Sequence, residues 1–255
     1  MPSSRRSGDI VIVYGLNPVL EALLAGRVRA IRVAGRADRR LGQLLDEARH
    51  RGVPVRQVPP EVLAREARNG VHQGVVADVE GVPAASLEDL ARGRDGEPAL
   101  IVVLDGVEDP QNVGAILRSV DAAGATGVVR QERRAAPLDG AAAKASAGAV
   151  LHVPVADVVN VARALEALKA AGVWTVGLDA DAETAYHELD LTIPTAVVVG
   201  AEGHGLRRLV RERCDFTASI PMRGHVSSLN VSAAAAIVLF EAVRQRRSRG
   251  RPHQP

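Results

Sequence analysis

The sequence predicts an α/β protein made of a small N-terminal α/β domain and a larger C-terminal domain built on a parallel sheet. Strand-like apolar runs alternate with helical segments along most of the 255 residues. Aromatic residues make up only 2% of a chain that is 47% hydrophobic, so the core must consist of Val, Leu, Ile and Ala, which suits helices packed on a buried parallel sheet. A turn-rich, charged segment, 81–98, separates the two units and is predicted to be a linker.

The N-terminal domain is predicted to span residues 1–80. An Asn17-Pro18 pair is expected to cap its first helix, because Asn is a common N-cap and proline suits the first helical turn. The remaining elements follow from apolar periodicity and from the glycines and prolines that interrupt it. The predicted strands are 10–13, 28–33, 53–58 and 74–79, and the predicted helices are 17–25, 38–51 and 61–68.

The C-terminal domain is predicted to span residues 99–247, followed by a basic tail, 248–255. It starts with a continuous apolar run, typical of a buried parallel strand, and we expect Asn112 and Asp157 to cap two of its helices. The linker before it holds at most one or two helical turns near Leu87. The predicted strands are 99–104, 128–129, 153–155, 173–178, 196–199 and 216–220, and the predicted helices are 112–123, 139–146, 157–171 and 233–243.

Composition argues against several classes of protein. The net charge of +2 is too small by itself to indicate a polyanion partner. Two basic ends are expected to be solvated and frayed, and they consist of Arg5 and Arg6 and of Arg244, Arg246, Arg247, Arg249 and Arg251. No apolar stretch reaches about 18 residues, so we expect no membrane span and a cytoplasmic location. The seven histidines show no metal-ligand spacing, so no metal site is expected. A single cysteine, Cys214, excludes a disulfide framework, and a partly buried structural thiol is favoured over a reactive one beside Arg211 and Arg213.

Polar residues follow the first strand of the C-terminal domain, where ligands of parallel sheets usually bind. Asn112 begins the next helix, and Gly114 and Arg118, four residues apart, share a helix face. Glycine would leave space beside the guanidinium, which could then hold a phosphate or an oxyanion. The alternative is a surface arginine that pairs with Asp121 or another acid.

Three glycines follow the strand 196–199, within the run 200–205. Glycines after a buried strand let the backbone approach a ligand closely, although their spacing is not that of a dinucleotide-binding loop. A nucleotide-dependent oxidoreductase is therefore disfavoured. Glu202 could bond a ligand or could neutralise Arg207 or Arg208, and His204 is left without a role.

The strand 216–220 ends at Pro221 and opens into a polar loop that leads through Ser227 and Ser228 into an apolar helix. A helix N-terminus offers unpaired N–H groups and partial positive charge. Hydroxyl and amide side chains there either cap the helix or receive a polar ligand group, and both alternatives use the same residues.

These three stretches, 112–118, 200–205 and 220–232, resemble in order the three motifs of the SpoU/TrmH RNA ribose 2′-O-methyltransferases. Two N-terminal stretches, 13–19 and 71–75, resemble the substrate domain of the RlmB branch, which methylates a guanosine of 23S ribosomal RNA. The similarity covers nearly the whole chain.

This resemblance implies a deep trefoil knot of SPOUT type, S-adenosylmethionine as cofactor, an obligate homodimer, and an N-terminal domain similar to small RNA-binding ribosomal proteins. It implies a catalytic group formed by Asn112, Arg118, Glu202, Ser228 and Asn230. It implies cofactor contacts from Leu178, Gly200, Ile220, Met222 and Leu229. No metal is implied.

Alternatives to a 23S guanosine remain open at the level of the sequence. They are another ribosomal site, as in antibiotic-resistance relatives, a transfer RNA, or a non-catalytic RNA-binding assembly factor. Retention of Asn112, Arg118, Glu202 and Asn230 argues against the last, because such residues should be lost first when activity is no longer needed.

Overall fold

The structure is a computed structural model that describes residues 10–35, 38–68, 70–81, 84–133, 135–138 and 140–249. Several features predicted from the sequence lie outside these ranges. They are Arg5 and Arg6 of the basic N-terminal end, Asp139 at the start of a predicted helix, and residues 250–255 of the tail.

Arg246 of the basic C-terminal end is not solvated, although the sequence predicted a solvated end. It is partly buried in the last helix, and its guanidinium donates to the backbone carbonyls of four residues: Pro98, Ala99, Leu191 and Ile193.

The N-terminal domain is a four-stranded mixed sheet with three helices. The sheet order is β1-β4-β2-β3, and only β2 and β3 run parallel to each other. The strands are β1 (Ile10–Tyr14), β2 (Val28–Val33), β3 (Val55–Gln57) and β4 (Val75–Glu80), and the helices are α1 (Leu16–Leu24), α2 (Arg39–His50) and α3 (Pro60–Glu66).

Helix α1 begins earlier than the sequence predicted. Its N-cap is Gly15, whose φ of 93° is unfavourable for other residues, and Asn17 lies inside the first turn. The amide oxygen of Gln73 accepts a hydrogen bond from the backbone N–H of Leu16 at 3.1 Å, so a distant side chain replaces the expected local cap. The two N-terminal stretches that carry the family resemblance therefore meet at one helix end.

The C-terminal domain is a six-stranded, all-parallel sheet in the order β10-β8-β9-β5-β6-β7. All six residues of the central strand β5 are buried, which explains its unbroken apolar run. The strands are β5 (Leu100–Asp105), β6 (Gly127–Gln131), β7 (Val155–Val158), β8 (Trp174–Leu178), β9 (Thr195–Gly200) and β10 (Phe216–Ala218), and the helices are α4 (Leu87–Ala91), α5 (Pro110–Ala122), α6 (Gly140–Ala145), α7 (Val161–Ala170), α8 (Arg208–Arg213) and α9 (Val231–Arg249).

Two helix caps of this domain were predicted wrongly. Helix α5 is capped by Asp109, whose carboxylate accepts from the N–H groups of Gln111 and Asn112, so Asn112 lies in the first turn. Helix α7 is capped by Asn160. Asp157 instead lies in β7, where it accepts a hydrogen bond at 2.7 Å from Nε of the buried Arg130.

The segment 84–98, predicted to be a linker, packs on the C-terminal domain. The N–H of Ala85 donates to the carbonyl of Val155 at 3.1 Å, and Leu90 of α4 is 1% exposed in a core cluster that includes residues of α7. Burial of this leucine stabilises the fold by about 2 kcal/mol.

The two domains meet through the short helix α6. On one side, Lys144 Nζ donates to the carbonyl of Val71 at 3.2 Å, and a Cβ on Gly140 would lie 2.9 Å from Cε1 of Tyr14. On the other side, a Cβ on Gly114 would lie 2.5 Å from Cβ of Ala145. Gly114 therefore admits α6 against α5, and it does not leave open space beside Arg118 as the sequence suggested.

Candidate active site

The candidate site lies at the C-terminal edge of the parallel sheet, as expected for this architecture. Strands β5 and β9 are neighbours there, and Asp105 pairs in register with Gly200. The loop 201–206 leaves β9 at this point, and the loop 219–230 between β10 and α9 lies near it, since both loops line one cavity. Elements far apart in sequence are thus brought to one edge.

A chain of side-chain hydrogen bonds joins three of the residues expected to be catalytic. Asn112 Nδ2 donates to Glu202 Oε2 at 3.2 Å, and Asn230 Nδ2 donates to Asn112 Oδ1 at 2.8 Å. Asn230 Oδ1 accepts from the backbone N–H of Ser232 at 2.9 Å, which is the geometry of a helix cap. Asn230 therefore serves as a cap and also contacts the site, so the two alternatives for this stretch are not exclusive.

The arrangement fixes the side chain of Asn112, which in turn holds one oxygen of the Glu202 carboxylate. Asn112 is 7% exposed, and both ends of its amide group are engaged, so the side chain cannot turn freely. The other role that the sequence suggested for Glu202, neutralisation of Arg207 or Arg208, is wrong. Arg207 pairs with Asp105 and Arg208 pairs with Glu212.

A cavity of about 440 Å³ opens beside Glu202. Its volume falls within the roughly 300–1,000 Å³ typical of small-molecule sites. All five residues expected to contact the cofactor line it: Leu178, Gly200, Ile220, Met222 and Leu229. Ser228, expected in the catalytic group, is exposed and lines it as well.

The wall of the cavity formed by β9 and its loop depends on close backbone packing. A Cβ on Gly200 would lie 2.1 Å from the carbonyl carbon of Gly205, so no other residue fits there without rearrangement. The N–H of Gly205 donates to the carbonyl of Ala201 at 2.8 Å, which folds the loop back on itself. The loop therefore presents its backbone, with Glu202 and His204, to the cavity.

The cavity chemistry fits a ligand that combines apolar and cationic parts. Apolar side chains such as Leu178, Leu206 and Ile220 form part of its surface. Three acidic residues, Asp179, Asp181 and Glu202, line it too, together with Arg211, which pairs with Asp179 and leaves the acids in excess. Carboxylates near an apolar cavity favour a positively charged ligand group. S-adenosylmethionine has such a composition, since it joins adenine, whose flat aromatic face packs on apolar side chains, to a positively charged sulfonium centre.

The residues near Asp179 were not predicted from the sequence. Asp179 Oδ2 accepts from Arg211 Nε at 2.7 Å, and its Oδ1 accepts from the N–H of Asp181 at 2.9 Å. Asp179 and Asp181 follow β8, which is the neighbour of β9 in the sheet. The rule that ligands bind at strand ends could have identified them, had the strand order been known.

Arg118 stands apart from this group. It is six residues after Asn112, which places it about 9 Å further along α5 and on a different face of the helix. Its side chain is exposed, it does not line the cavity, and it has no ion pair or hydrogen bond with any residue that the structure describes. The predicted alternative of a pair with Asp121 is therefore not formed, and the guanidinium is available to an anion from outside.

Cys214 is half-buried and takes no part in the site. Burial raises the pKa of its thiol to about 12, and the neighbouring Asp215 adds to this effect. A thiol with so high a pKa stays protonated and unreactive near neutral pH. This agrees with the predicted structural, rather than reactive, thiol.

The described residues contain neither a cluster of metal ligands nor a membrane-spanning helix. No group of three or more His, Cys, Asp or Glu side chains in these ranges could hold a metal ion. No helix within the same ranges is long and apolar enough to cross a membrane.

Comparison with known proteins identifies the class. The family model of the SpoU rRNA Methylase family matches residues 99–240, and a model for RNA 2′-O ribose methyltransferase substrate binding matches residues 12–84. An uncharacterized tRNA/rRNA methyltransferase of Mycolicibacterium vanbaalenii is 46% identical over 249 residues, which are 96% of this chain and 79% of that protein.

Solved structures resemble both domains together. The SpoU methyltransferase AviRb from Streptomyces viridochromogenes, in complex with AdoMet, is 34% identical with a TM-score of 0.74, covering 93% of this chain and 90% of that one. An AdoMet-bound rRNA methyltransferase from Sinorhizobium meliloti is 28% identical, also with a TM-score of 0.74, over 92% and 87% of the two chains.

The fold, the cavity and these matches define an RNA 2′-O-ribose methyltransferase that uses S-adenosylmethionine. The chain belongs to the SpoU rRNA methylase family.

Proposed function

We propose that this enzyme methylates ribosomal RNA, at the ribose 2′-hydroxyl of a guanosine in 23S RNA. The observation that carries the catalytic part is the hydrogen-bonded chain Glu202–Asn112–Asn230, which ends in a carboxylate at the edge of a ligand-sized cavity. The ribosomal guanosine rests on the resemblance of the N-terminal stretches to the RlmB branch.

The cavity residues hold the cofactor in this proposal. Gly200, Ile220 and Leu229 form walls against which it packs, with Leu178 and Met222 completing the apolar surface. When bound, S-adenosylmethionine supplies an electrophilic methyl group on a positively charged sulfur. The apolar walls exclude water from the reacting atoms, which strengthens the electrostatic effect of nearby carboxylates.

Glu202 and Ser228 orient the ribose in this proposal. Asn112 and Asn230 contribute by holding Glu202 in place. A ribose hydroxyl is a weak nucleophile until its proton leaves, so catalysis needs an acceptor for that proton and a fixed angle of attack. Glu202 has a second carboxylate oxygen, Oε1, without a hydrogen bond to any described residue. This oxygen can accept a hydrogen bond from the ribose hydroxyl, and Ser228 can position the sugar from the opposite loop.

Arg118 binds the RNA backbone. A guanidinium almost never gives up its proton in proteins, and Arg118 lies away from Glu202 on another face of α5, so we assign it to an RNA phosphate. Its exposure and its lack of a carboxylate partner among the described residues support this role. The N-terminal domain selects the RNA, as the description of the family model over residues 12–84 suggests.

A homodimer and a cytoplasmic location complete the proposal. The homodimer rests on the family resemblance alone, and the location rests on the sequence, which contains no long apolar stretch.

Ribose methylation mapped across ribosomal and transfer RNA tests the substrate. A strain lacking the gene should lose methylation at one 23S guanosine, and expression of the wild-type gene, but not of a Glu202→Ala variant, should restore it. Loss confined to a transfer RNA, or to another ribosomal site, would replace the guanosine of 23S RNA as the substrate.

A further inference from the structure

Asp105 and Arg207 form an ion pair at the edge of the sheet, and the proposed function assigns this pair no role. Asp105 ends strand β5, and its side chain has no exposed surface. Its Oδ2 accepts from the backbone N–H of Arg207 at 2.8 Å, and its Oδ1 accepts from Nε of the same residue at 2.6 Å. A fully buried carboxylate is costly unless it is paired and hydrogen-bonded in this way.

The connection closes the loop that forms the cavity wall. Asp105 pairs in register with Gly200, the last residue of β9, and it binds Arg207, where the chain returns after the loop 201–206. Both ends of the loop 201–206 are therefore fixed at one residue. The loop between these ends carries Glu202, which reaches Asn112, and contributes its backbone to the cavity.

Arg207 also extends the connection across the sheet. Its Nη2 donates to Oε1 of Gln131 at the end of β6, at 3.1 Å. The guanidinium thus joins the ends of β5 and β6 to the returning loop, while 52% of the side chain stays exposed to solvent. Charge-assisted bonds from a rigid fork are suited to fix a loop of this kind.

We infer that Asp105 and Arg207 are positioning residues, which set the loop 201–206 for cofactor binding and hold Glu202 in place for methyl transfer. Neither residue lines the cofactor cavity, and both act through the loop. The inference rests on the proposed roles of Glu202 and of the cavity.

Three variants and a matched control test it. Arg207→Ala removes the guanidinium, Asp105→Asn keeps the side-chain shape without the charge, and the double variant removes both. Arg208→Ala is the control, because Arg208 is the adjacent arginine and, among the described residues, pairs only with the exposed Glu212 on its own helix, at 2.7 Å. Asp105→Asn is the milder change, since the arginine that it leaves unpaired is half-exposed and can be solvated.

The measurements are the dissociation constant for S-adenosylmethionine by calorimetry, kcat with saturating cofactor, and thermal melting. We expect Arg207→Ala to weaken cofactor binding and to lower kcat, each by about tenfold or more, and the control to stay within about twofold. The double variant should lose no more than Arg207→Ala alone, because the pair acts as one unit. Guanidinium ion at low millimolar concentration should restore part of the lost binding.

A purely structural role predicts a different pattern. In that case the variants would melt at lower temperature, but cofactor binding and kcat below the melting transition would match the control, and guanidinium would restore neither. That result would overturn the inference. If the wild-type enzyme binds cofactor but fails to methylate ribosomal RNA, the proposed substrate is wrong, while the comparison of dissociation constants still decides the role of the pair.

Discussion

At the scale of single residues, the site depends on amide side chains that use both of their ends. Asn230 accepts from the first turn of α9 through its oxygen and donates to Asn112 through its nitrogen. An acid at this position could still cap the helix, but it could not donate. This asymmetry separates the structural contribution of Asn230 from its catalytic contribution.

Asn230→Asp should therefore leave the fold stable and reduce the chemistry. Asp and Asn are equivalent N-caps, so the free energy of unfolding should change by less than about 0.5 kcal/mol, whereas loss of the amide donor should lower kcat by about 10²-fold. Asn230→Ala is the comparison, since it also loses the cap and should cost about 0.5–2 kcal/mol of stability. Thermal melting and turnover of both variants check this. Normal turnover by the aspartate variant would reduce Asn230 to a helix cap.

Arg118→Ala should strongly reduce turnover while cofactor binding stays intact. If the guanidinium holds an RNA phosphate and so positions the ribose, its loss should cost about 10²-fold or more in kcat/KM. Arg163→Ala is a matched control, because Arg163 is another exposed arginine with no ion pair among the described residues. Turnover and cofactor affinity are measured together. Equal activity of the two variants would remove Arg118 from the reaction.

Residue types could be assigned to the site from the sequence, but the partners of each residue could not. Asn112, Asn17 and Asp157 are all good capping residues at plausible helix starts, and each was predicted to cap a helix. The structure gives those caps to Asp109, Gly15 and Asn160. The difference matters, because Asn112 is free to bond Glu202 only when Asp109 caps α5.

At the scale of elements, close packing of small residues positions α5, the helix that carries Asn112 and Arg118. Helix α6 lies against α5 at Gly114 and against the N-terminal domain at Gly140. The sequence predicted a small-residue helix here, but not that it would join the domains. Periodicity shows which face of a helix is apolar, whereas the element that covers this face depends on the tertiary fold.

Gly114→Ala should separate α5 from α6. The added methyl would lie 2.5 Å from Cβ of Ala145 and 2.7 Å from the carbonyl oxygen of Ala142, so the helices must move apart at a cost of about 1–3 kcal/mol. Gly42→Ala is the control, because Gly42 lies in α2 with nothing within 4 Å of the new methyl, and it should stabilise the protein by about 0.5–1 kcal/mol. Urea denaturation measures both changes. Similar values for the two variants would contradict close packing at Gly114.

At the scale of the whole molecule, the alternation of strands and helices predicted the two α/β domains, but not the strand order. The sheet order β10-β8-β9-β5-β6-β7 places β5 and β9 side by side although about 90 residues separate them. This long-range pairing brings Glu202 to Asn112. The trefoil knot, the homodimer and the identity of the RNA were implied only by the family resemblance, and they stay predictions.

A shortened protein tests how the domains divide the work. A chain that begins at Ala84 keeps α4 and the parallel sheet, so it should fold and bind S-adenosylmethionine but lose activity on ribosomal RNA. A chain that begins at Glu97 also loses Leu90 from the core and should be less stable by about 2–4 kcal/mol. Denaturation, calorimetry and turnover check both chains. Full activity of the longer fragment on ribosomal RNA would show that the N-terminal domain does not select the substrate.

Transfer of a labelled methyl group from S-adenosylmethionine to 23S ribosomal RNA tests the central claim most directly. The purified protein is incubated with RNA from a strain that lacks the gene, and the RNA is then hydrolysed in alkali, which cleaves next to free 2′-hydroxyls only. We predict that the label appears in an alkali-resistant dinucleotide that contains guanosine, and that a Glu202→Ala variant transfers none. Label on a base, or no transfer to RNA at all, would contradict the account.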